Sequence, residues 1–213
     1  MTEPKTYYRR HLPHYQPEGA TFHVVSRLKG SLPAEVINNI RAEREKAEKA
    51  LEQIRNEQEQ KRFLEELRWT YLERFDALLD RDSMGPLWLR QPEIAGIVKE
   101  ALHYRDGIAY DLLAYCIMPN HVHLVVELVG RNDIPTYRPL FRILQSLKRH
   151  TARTCNDLLK RRGAFWQDES YDHVIRDGNE LERTIWYVLN NPVQAGLVQS
   201  CEQWPWTYVK PGL

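Results

Sequence analysis

Two histidines separated by a single residue stand in the run His121-Val122-His123-Leu124-Val125-Val126-Glu127-Leu128. Side chains alternate faces along an extended strand. Val122, Leu124, Val126 and Leu128 therefore share one face, and His121, His123, Val125 and Glu127 share the other. The two imidazoles can each turn a nitrogen toward one cation, because neutral imidazole is a common metal ligand near pH 7. The competing reading is a pair of half-exposed polar side chains on the wet face of a hairpin. Glu127 shares the face, but at roughly 3.3 Å per residue it lies about 13 Å along the strand from His123, too far for easy ligation of the same ion.

Two imidazoles leave a divalent ion undercoordinated, so a further ligand and any nucleophile must come from another element. The segment 179–191 offers candidates. With Leu181, Ile185, Val188 and Leu189 as its buried stripe, Glu180, Arg183, Thr184, Tyr187 and Asn191 fall on neighbouring or opposite helix faces. Tyr187 and Asn191 are one turn apart. A phenol with an ordinary pKa near 10 is a weak nucleophile at neutral pH, so a tyrosine acting this way needs a polarised electrophile. The ordinary reading of Tyr187 is an aromatic packed on a sheet.

A third feature is charge. Between Arg138 and Arg162 stand eight basic residues (Arg138, Arg142, Lys148, Arg149, Arg153, Lys160, Arg161 and Arg162) and one acid, Asp157. On a helix Lys148, Arg149 and Arg153 share one side and could follow a phosphate backbone, while Leu140, Leu144, Leu147 and Leu158 serve the core. Phe165, Trp166 and Trp186 have faces on which unpaired bases could stack, although such residues more often pack in a core.

Met118-Pro119-Asn120-His121-Val122-His123-Leu124 resembles the signature string of the IS200-like and REP-associated tyrosine transposases, which are single-tyrosine nucleases of the HUH superfamily. The segment Trp186 to Val198, with Asn191-Pro192-Val193 at its centre, is similar to that family's last helix. Trp204-Pro205-Trp206 is similar to its C-terminal Trp-Pro-aromatic segment. The resemblance spans roughly residues 21–29 and 85–208.

The resemblance implies a ferredoxin-like palm and a Mg²⁺ or Mn²⁺ site built from His121, His123 and Asn191, with Tyr187 as the nucleophile. It further implies cleavage and rejoining of single-stranded or hairpin (palindromic) DNA through a 5′-phosphotyrosine, leaving a free 3′-hydroxyl. Ser170-Tyr171-Asp172-His173-Val174-Ile175-Arg176 also looks like a family block. Tyr171 there is the main competitor for the nucleophile and is read as serving DNA contact or core packing, with Arg176 as a candidate DNA contact beside Lys148, Arg149 and Arg153. Two other functions remain open: a DNA- or RNA-binding protein that has lost catalysis, and a metal-dependent phosphodiesterase that uses water.

The elements that must position these residues are legible in outline. Thr21 to Leu28 reads as the first strand, between Gly19 and Gly30. From Ala34 to Met84 there is no Gly or Pro, and the composition predicts two helices or one long interrupted helix. The part from Asn39 to Arg62 has only Ile40, Leu51 and Ile54 as large aliphatics. It therefore reads as a solvated arm and a candidate surface for self-association. Phe63, Leu67, Tyr71, Phe75 and Leu78 then recur at helical spacing and return the chain to the core.

A helix over 92–104 follows, then two apolar runs at 110–118 and 121–129 split by Pro119-Asn120, a hairpin signal. A basic helix over 139–162, a short extended segment over 165–175 and a helix over about 179–191 ended by Pro192 complete the order. The reading is an α+β sandwich with an antiparallel sheet and a long helical insertion after the first strand. As a domain plan it gives 19–208 with the insertion at 33–84, and tails at 1–18 and 209–213.

Composition narrows the classes. The 213 residues carry a net charge of +1, so a nucleic-acid surface has to come from local clustering. Cys116, Cys155 and Cys201 form no CxxC pair, which suits packing roles in a reducing cytoplasm. The polar N-terminus has no signal-peptide core, and no stretch approaches the roughly 20 apolar residues that span a bilayer.

Overall fold

In a computed structural model of the chain, residues 7–9, 13–15, 19–51, 54–81, 85–128 and 138–213 are described. Two short antiparallel strands, β1 (Tyr7–Arg9) and β2 (Pro13–Tyr15), come first. The segment from Thr21 is therefore not the start of regular structure. It forms β3 (Thr21–Arg27), whose β-branched and aromatic residues suit a pleated, buried strand. The chain divides into two compact units, one of residues 1–29 with 87–213 and one of residues 30–86.

The 30–86 unit holds α1 (Ala34–Leu51) and α2 (Glu57–Arg81). The break between them is set by Asn56, whose Oδ1 accepts from the backbone N–H groups of Gln58 and Glu59, a side-chain cap on the new helix. Glu43 of α1 pairs with Arg74 of α2, so the helices fold back on each other as a hairpin. Among the described side chains of α2, Leu72 and Leu79 are buried, whereas the anticipated stripe of Phe63, Leu67, Tyr71, Phe75 and Leu78 is only half-buried. Residues 82–84 of the expected helical stretch, and Val129 of the second apolar run, lie outside the described residues.

The larger unit is built on a five-stranded antiparallel sheet. Beyond β3 its elements are α3 (Pro92–His103), β4 (Asp111–Ile117), β5 (His121–Glu127), α4 (Leu140–Leu158), β6 (Tyr171–Ile175), α5 (Gly178–Gln194) and β7 (Thr207–Val209). The strand order is β6-β3-β5-β4-β7, every neighbouring pair antiparallel. Registry places Val25 and Cys116 on either side of His123, and His23 and Ala114 on either side of Val125. A register shift between Leu112 and Ala114 changes the parity of β4, so that Leu112 and Tyr115 both face the main core.

That core lies on one face of the sheet. Phe22, Val24, Leu112, Ile117, Val122, Leu124 and Val126 pack there with Ile94, Val98 and Leu102 of α3 and Leu140, Ile143, Leu144 and Leu147 of α4. The opposite face, which carries the histidines, is covered by α5 lying across β4, β5 and β7. The architecture is thus α+β, with helices packed on both sides of an antiparallel sheet. No described helix is long and apolar enough to cross a membrane.

Three local expectations are corrected. Helix α4 stops at Leu158 because Lys160 takes a left-handed conformation (φ 51°), a common way to close a helix. Leu158 is consequently 52% exposed rather than part of the core. Pro192 does not end α5, which runs on to Gln194 with the proline in its last turn.

Candidate metal and tyrosine site

The inner face of α5 is not the aliphatic stripe read from the sequence. Leu181, Ile185 and Leu189 are only partly buried, whereas Thr184, Tyr187, Val188, Asn191 and Pro192 are buried. The reason lies in what the helix covers: the sheet beneath presents His121, His123 and His23, so the facing residues are largely polar. The helix is anchored at its start by Asp177, whose carboxylate accepts from Glu180 N (2.9 Å). Glu180 in turn pairs with His173 Nε2 (2.6 Å) and accepts from Arg176 N (2.8 Å).

Four expected site residues come together here. His121 and His123 are fully buried, and their Nε2 atoms lie 2.9 Å apart. The Tyr187 ring stands edge-on to that of His123, with centroids 6.0 Å apart. Asn191, one turn further along α5, hydrogen-bonds His121 through its side chain. Asn191 is 1% exposed, and its amide oxygen is of a kind that can ligate a divalent cation.

Electrostatics favour neutral imidazoles. Burial lowers His121 to about 3, opposed only by its bond to Asn191. Burial also holds His123 well below the ordinary histidine range, and His121 and His23 act in the same direction. His23 falls to about 3 through burial and the nearby His173. Neutral, uncharged rings at pH 7 are the form in which histidine ligates metals.

Two further residues, neither of them an expected ligand, join the histidines. Asn120 Oδ1 lies 2.7 Å from His121 Nδ1, and His23 Nε2 lies 3.2 Å from His123 Nδ1. Asn120 sits inside the quoted motif and was visible there. His23 had no sequence signal, because its place beside His123 depends on the pairing of strands about a hundred residues apart. Tyr171 stands edge-on to His23 at 6.5 Å, which puts it beside the histidine group, not in the α3–α4 core.

The basic residues are more divided than their clustering suggests. Lys148 Nζ donates to the carbonyls of Gln167 (2.8 Å) and Asp168 (3.1 Å), bracing that segment against α4. Arg161 lies over the Trp88 ring at 3.9 Å and donates to Asn156. Arg149, Arg153 and Arg176 are exposed. A groove of about 530 Å³ runs between α4 and residues 164–172, with Phe141 and Trp166 among its walls and Arg142 and Arg149 at its margin.

Residues 91–191 match the family described as "Transposase IS200 like". That stretch, a little under half of the chain, carries the paired histidines and the tyrosine helix, and over it the chain is similar to this class of protein. Within this class, the chain is similar to REP-associated tyrosine transposases. It is 29% identical over 103 residues to a Haemophilus influenzae protein of that name, covering 46% of this chain and 58% of the relative.

An uncharacterized protein of the same organism is 27% identical over 97 residues, covering 37% of this chain and 52% of its own length. The chain thus spans somewhat over half the length of these curated relatives. A solved REP-associated tyrosine transposase bound to a REP hairpin superposes with a TM-score of 0.54, covering 97% of this chain and 82% of that one. At 17% identity that likeness speaks for the fold.

Proposed function

We propose that this protein cleaves and rejoins single-stranded or hairpin DNA in a metal-dependent reaction through a 5′-phosphotyrosine, as a transposase of REP-like elements. The observation that carries this reading is the convergence beneath α5 of two buried imidazole Nε2 atoms, 2.9 Å apart, with the Tyr187 ring against one of them. Two neutral ring nitrogens that close require a shared proton or a shared cation. With the amide oxygen of Asn191 they form a donor set that fits a divalent ion such as Mg²⁺ or Mn²⁺, leaving positions for phosphate oxygens.

His121, His123 and Asn191 would hold the ion, which when bound supplies Lewis-acid polarisation of the scissile phosphate. Tyr187 Oη then forms a bond to phosphorus, the P–O3′ bond breaks, and the phenolic proton passes to the departing 3′-oxygen. The ester energy is kept in the tyrosine linkage, so a second 3′-hydroxyl can reverse the step without ATP. Arg149, Arg153 and Arg176 are the side chains assigned to phosphate contact, and the groove beside α4 suits an unpaired strand.

A second reading, a DNA- or RNA-binding protein without catalysis, draws on the burial of Tyr187, which is 5% exposed. The deciding experiment incubates labelled hairpin-bearing single-stranded DNA and Mn²⁺ with wild type and with Tyr187→Phe. A covalent protein–DNA adduct present only in wild type supports the tyrosine nuclease. Cleavage without an adduct points to water as nucleophile, and binding without cleavage to the inactive binder.

A further inference from the structure

The hydrogen bond behind His123 carries an inference that rests on the metal reading above. His23 Nε2 and His123 Nδ1 are 3.2 Å apart, and both side chains are at most 1% exposed. Their ring planes differ by 14° and their centroids are 5.4 Å apart. A nitrogen contact that short with centroids that far apart means that the rings meet edge to edge, nearly in one plane. A ring nitrogen lone pair lies in this plane, so the arrangement is a directed N–H···N bond and not a face-to-face stack.

A neutral imidazole carries one N–H and one lone pair, so this bond has two possible directions. If His23 donates, the proton of His123 must sit on Nε2, where it faces His121 and blocks any cation. If His123 donates from Nδ1, its Nε2 lone pair is bare and directed toward His121 Nε2. The other ligand shows what an ion would change. His121 Nδ1 meets Asn120 Oδ1 at 2.7 Å, and an amide oxygen only accepts, so the proton of His121 lies on Nδ1 and its Nε2 is also bare. With no ion bound, a proton on His123 Nε2 closes the 2.9 Å contact to His121 Nε2; with an ion there, both Nε2 atoms must be unprotonated, and His123 then carries its proton on Nδ1, toward His23.

We infer that His23 is a positioning residue of the cation site: with the ion bound it accepts from His123 Nδ1–H, and so holds the tautomer and ring plane that aim His123 Nε2 at the ion. Ligating histidines commonly need such an outer partner, and its loss typically weakens metal binding 10- to 100-fold. The sheet sets the position of His23. It lies diagonal to His123 across the β3–β5 pair and directly opposite His173 on β6, which is held by Glu180. Asn120 plays the same part for His121 from the turn before β5.

The test uses the full chain with Mn²⁺ as the probe. Its affinity is read by electron paramagnetic resonance, and the His123 tautomer by long-range ¹H–¹⁵N correlation on the protein loaded with diamagnetic Mg²⁺. In Mg²⁺-loaded wild type, His123 carries its proton on Nδ1. His23→Phe loses that preference and binds Mn²⁺ about 10- to 100-fold more weakly, while His23→Gln, which keeps an acceptor, recovers much of both. If His23→Phe binds Mn²⁺ as wild type does and keeps the Nδ1 proton of His123, the inference is overturned and the metal reading stands. If wild type binds Mn²⁺ no better than His121→Ala, the metal reading itself fails and takes the inference with it. Should His23→Phe not fold, loss of the Nδ1 proton and of affinity in a folded His23→Gln also overturns it.

Discussion

Asn120 Oδ1 and His121 Nδ1 lie 2.7 Å apart in a fully protein-enclosed setting, one residue before the strand that carries both site histidines begins. The turn residue thus sets the tautomer of the ligand that follows it. Replacing Asn120 by Ala leaves a buried N–H without its acceptor, which costs on the order of 1–3 kcal/mol. Chemical denaturation of metal-free protein should show that loss, and Mn²⁺ affinity should fall as well. Unchanged values in both would show that the contact does not restrain the ring.

The buried histidines make stability depend on pH in a direction that can be worked out. His121 and His23 have folded values of about 3, against an ordinary 6.5, and His123 is also lowered. Below about pH 6.5 the unfolded chain takes up protons that the folded chain refuses. Their contribution is therefore complete above pH 6.5 and is lost as pH falls toward 3. Each contributes a slope on the order of 1.4 kcal/mol per pH unit within that window. Denaturation midpoints in chelator at pH 7.5, 6.5 and 5.5 test this: little change across the first step, a marked fall across the second, and a shallower fall in His23→Phe.

Charge on α4 separates into two roles that mutation can tell apart. Arg149 and Arg153 are exposed, so Arg149→Ala and Arg153→Ala should each reduce the salt dependence of single-stranded DNA binding by about 0.7 in the slope of log K against log salt. Lys148 is already bonded to two backbone carbonyls, and Lys148→Met should lower stability, by on the order of 1–3 kcal/mol, more than it alters that slope. Equal slope changes for all three would contradict the division.

Lys160 holds a left-handed backbone conformation (φ 51°), which strains a side chain bearing Cβ by roughly 1–2 kcal/mol. Lys160→Gly should relieve it, and after the greater chain entropy of glycine a net gain of about 0.5–1 kcal/mol is expected. A lowered melting temperature in the variant would mean that the Lys160 side chain contributes more than its strain costs.

The sequence by itself carried what is local. The parity of His121 and His123, the hairpin around Pro119-Asn120, the four-residue spacing of Tyr187 and Asn191, and the helical character of 34–81 all follow from short-range alternation and periodicity. Tertiary structure decided which faces meet. The inner face of α5 departs from its aliphatic periodicity because the helix covers a polar sheet face, so Thr184, Tyr187 and Asn191 are buried while Ile185 and Leu189 are less so. The roles of Lys148 and Arg161 depended on carbonyls and rings that only folding brings near them. His23 reached the site through the register of β3 against β5, a pairing between residues about a hundred positions apart for which no local pattern exists. Periodicity tells which residues of one element point the same way, and only long-range packing tells what they point at.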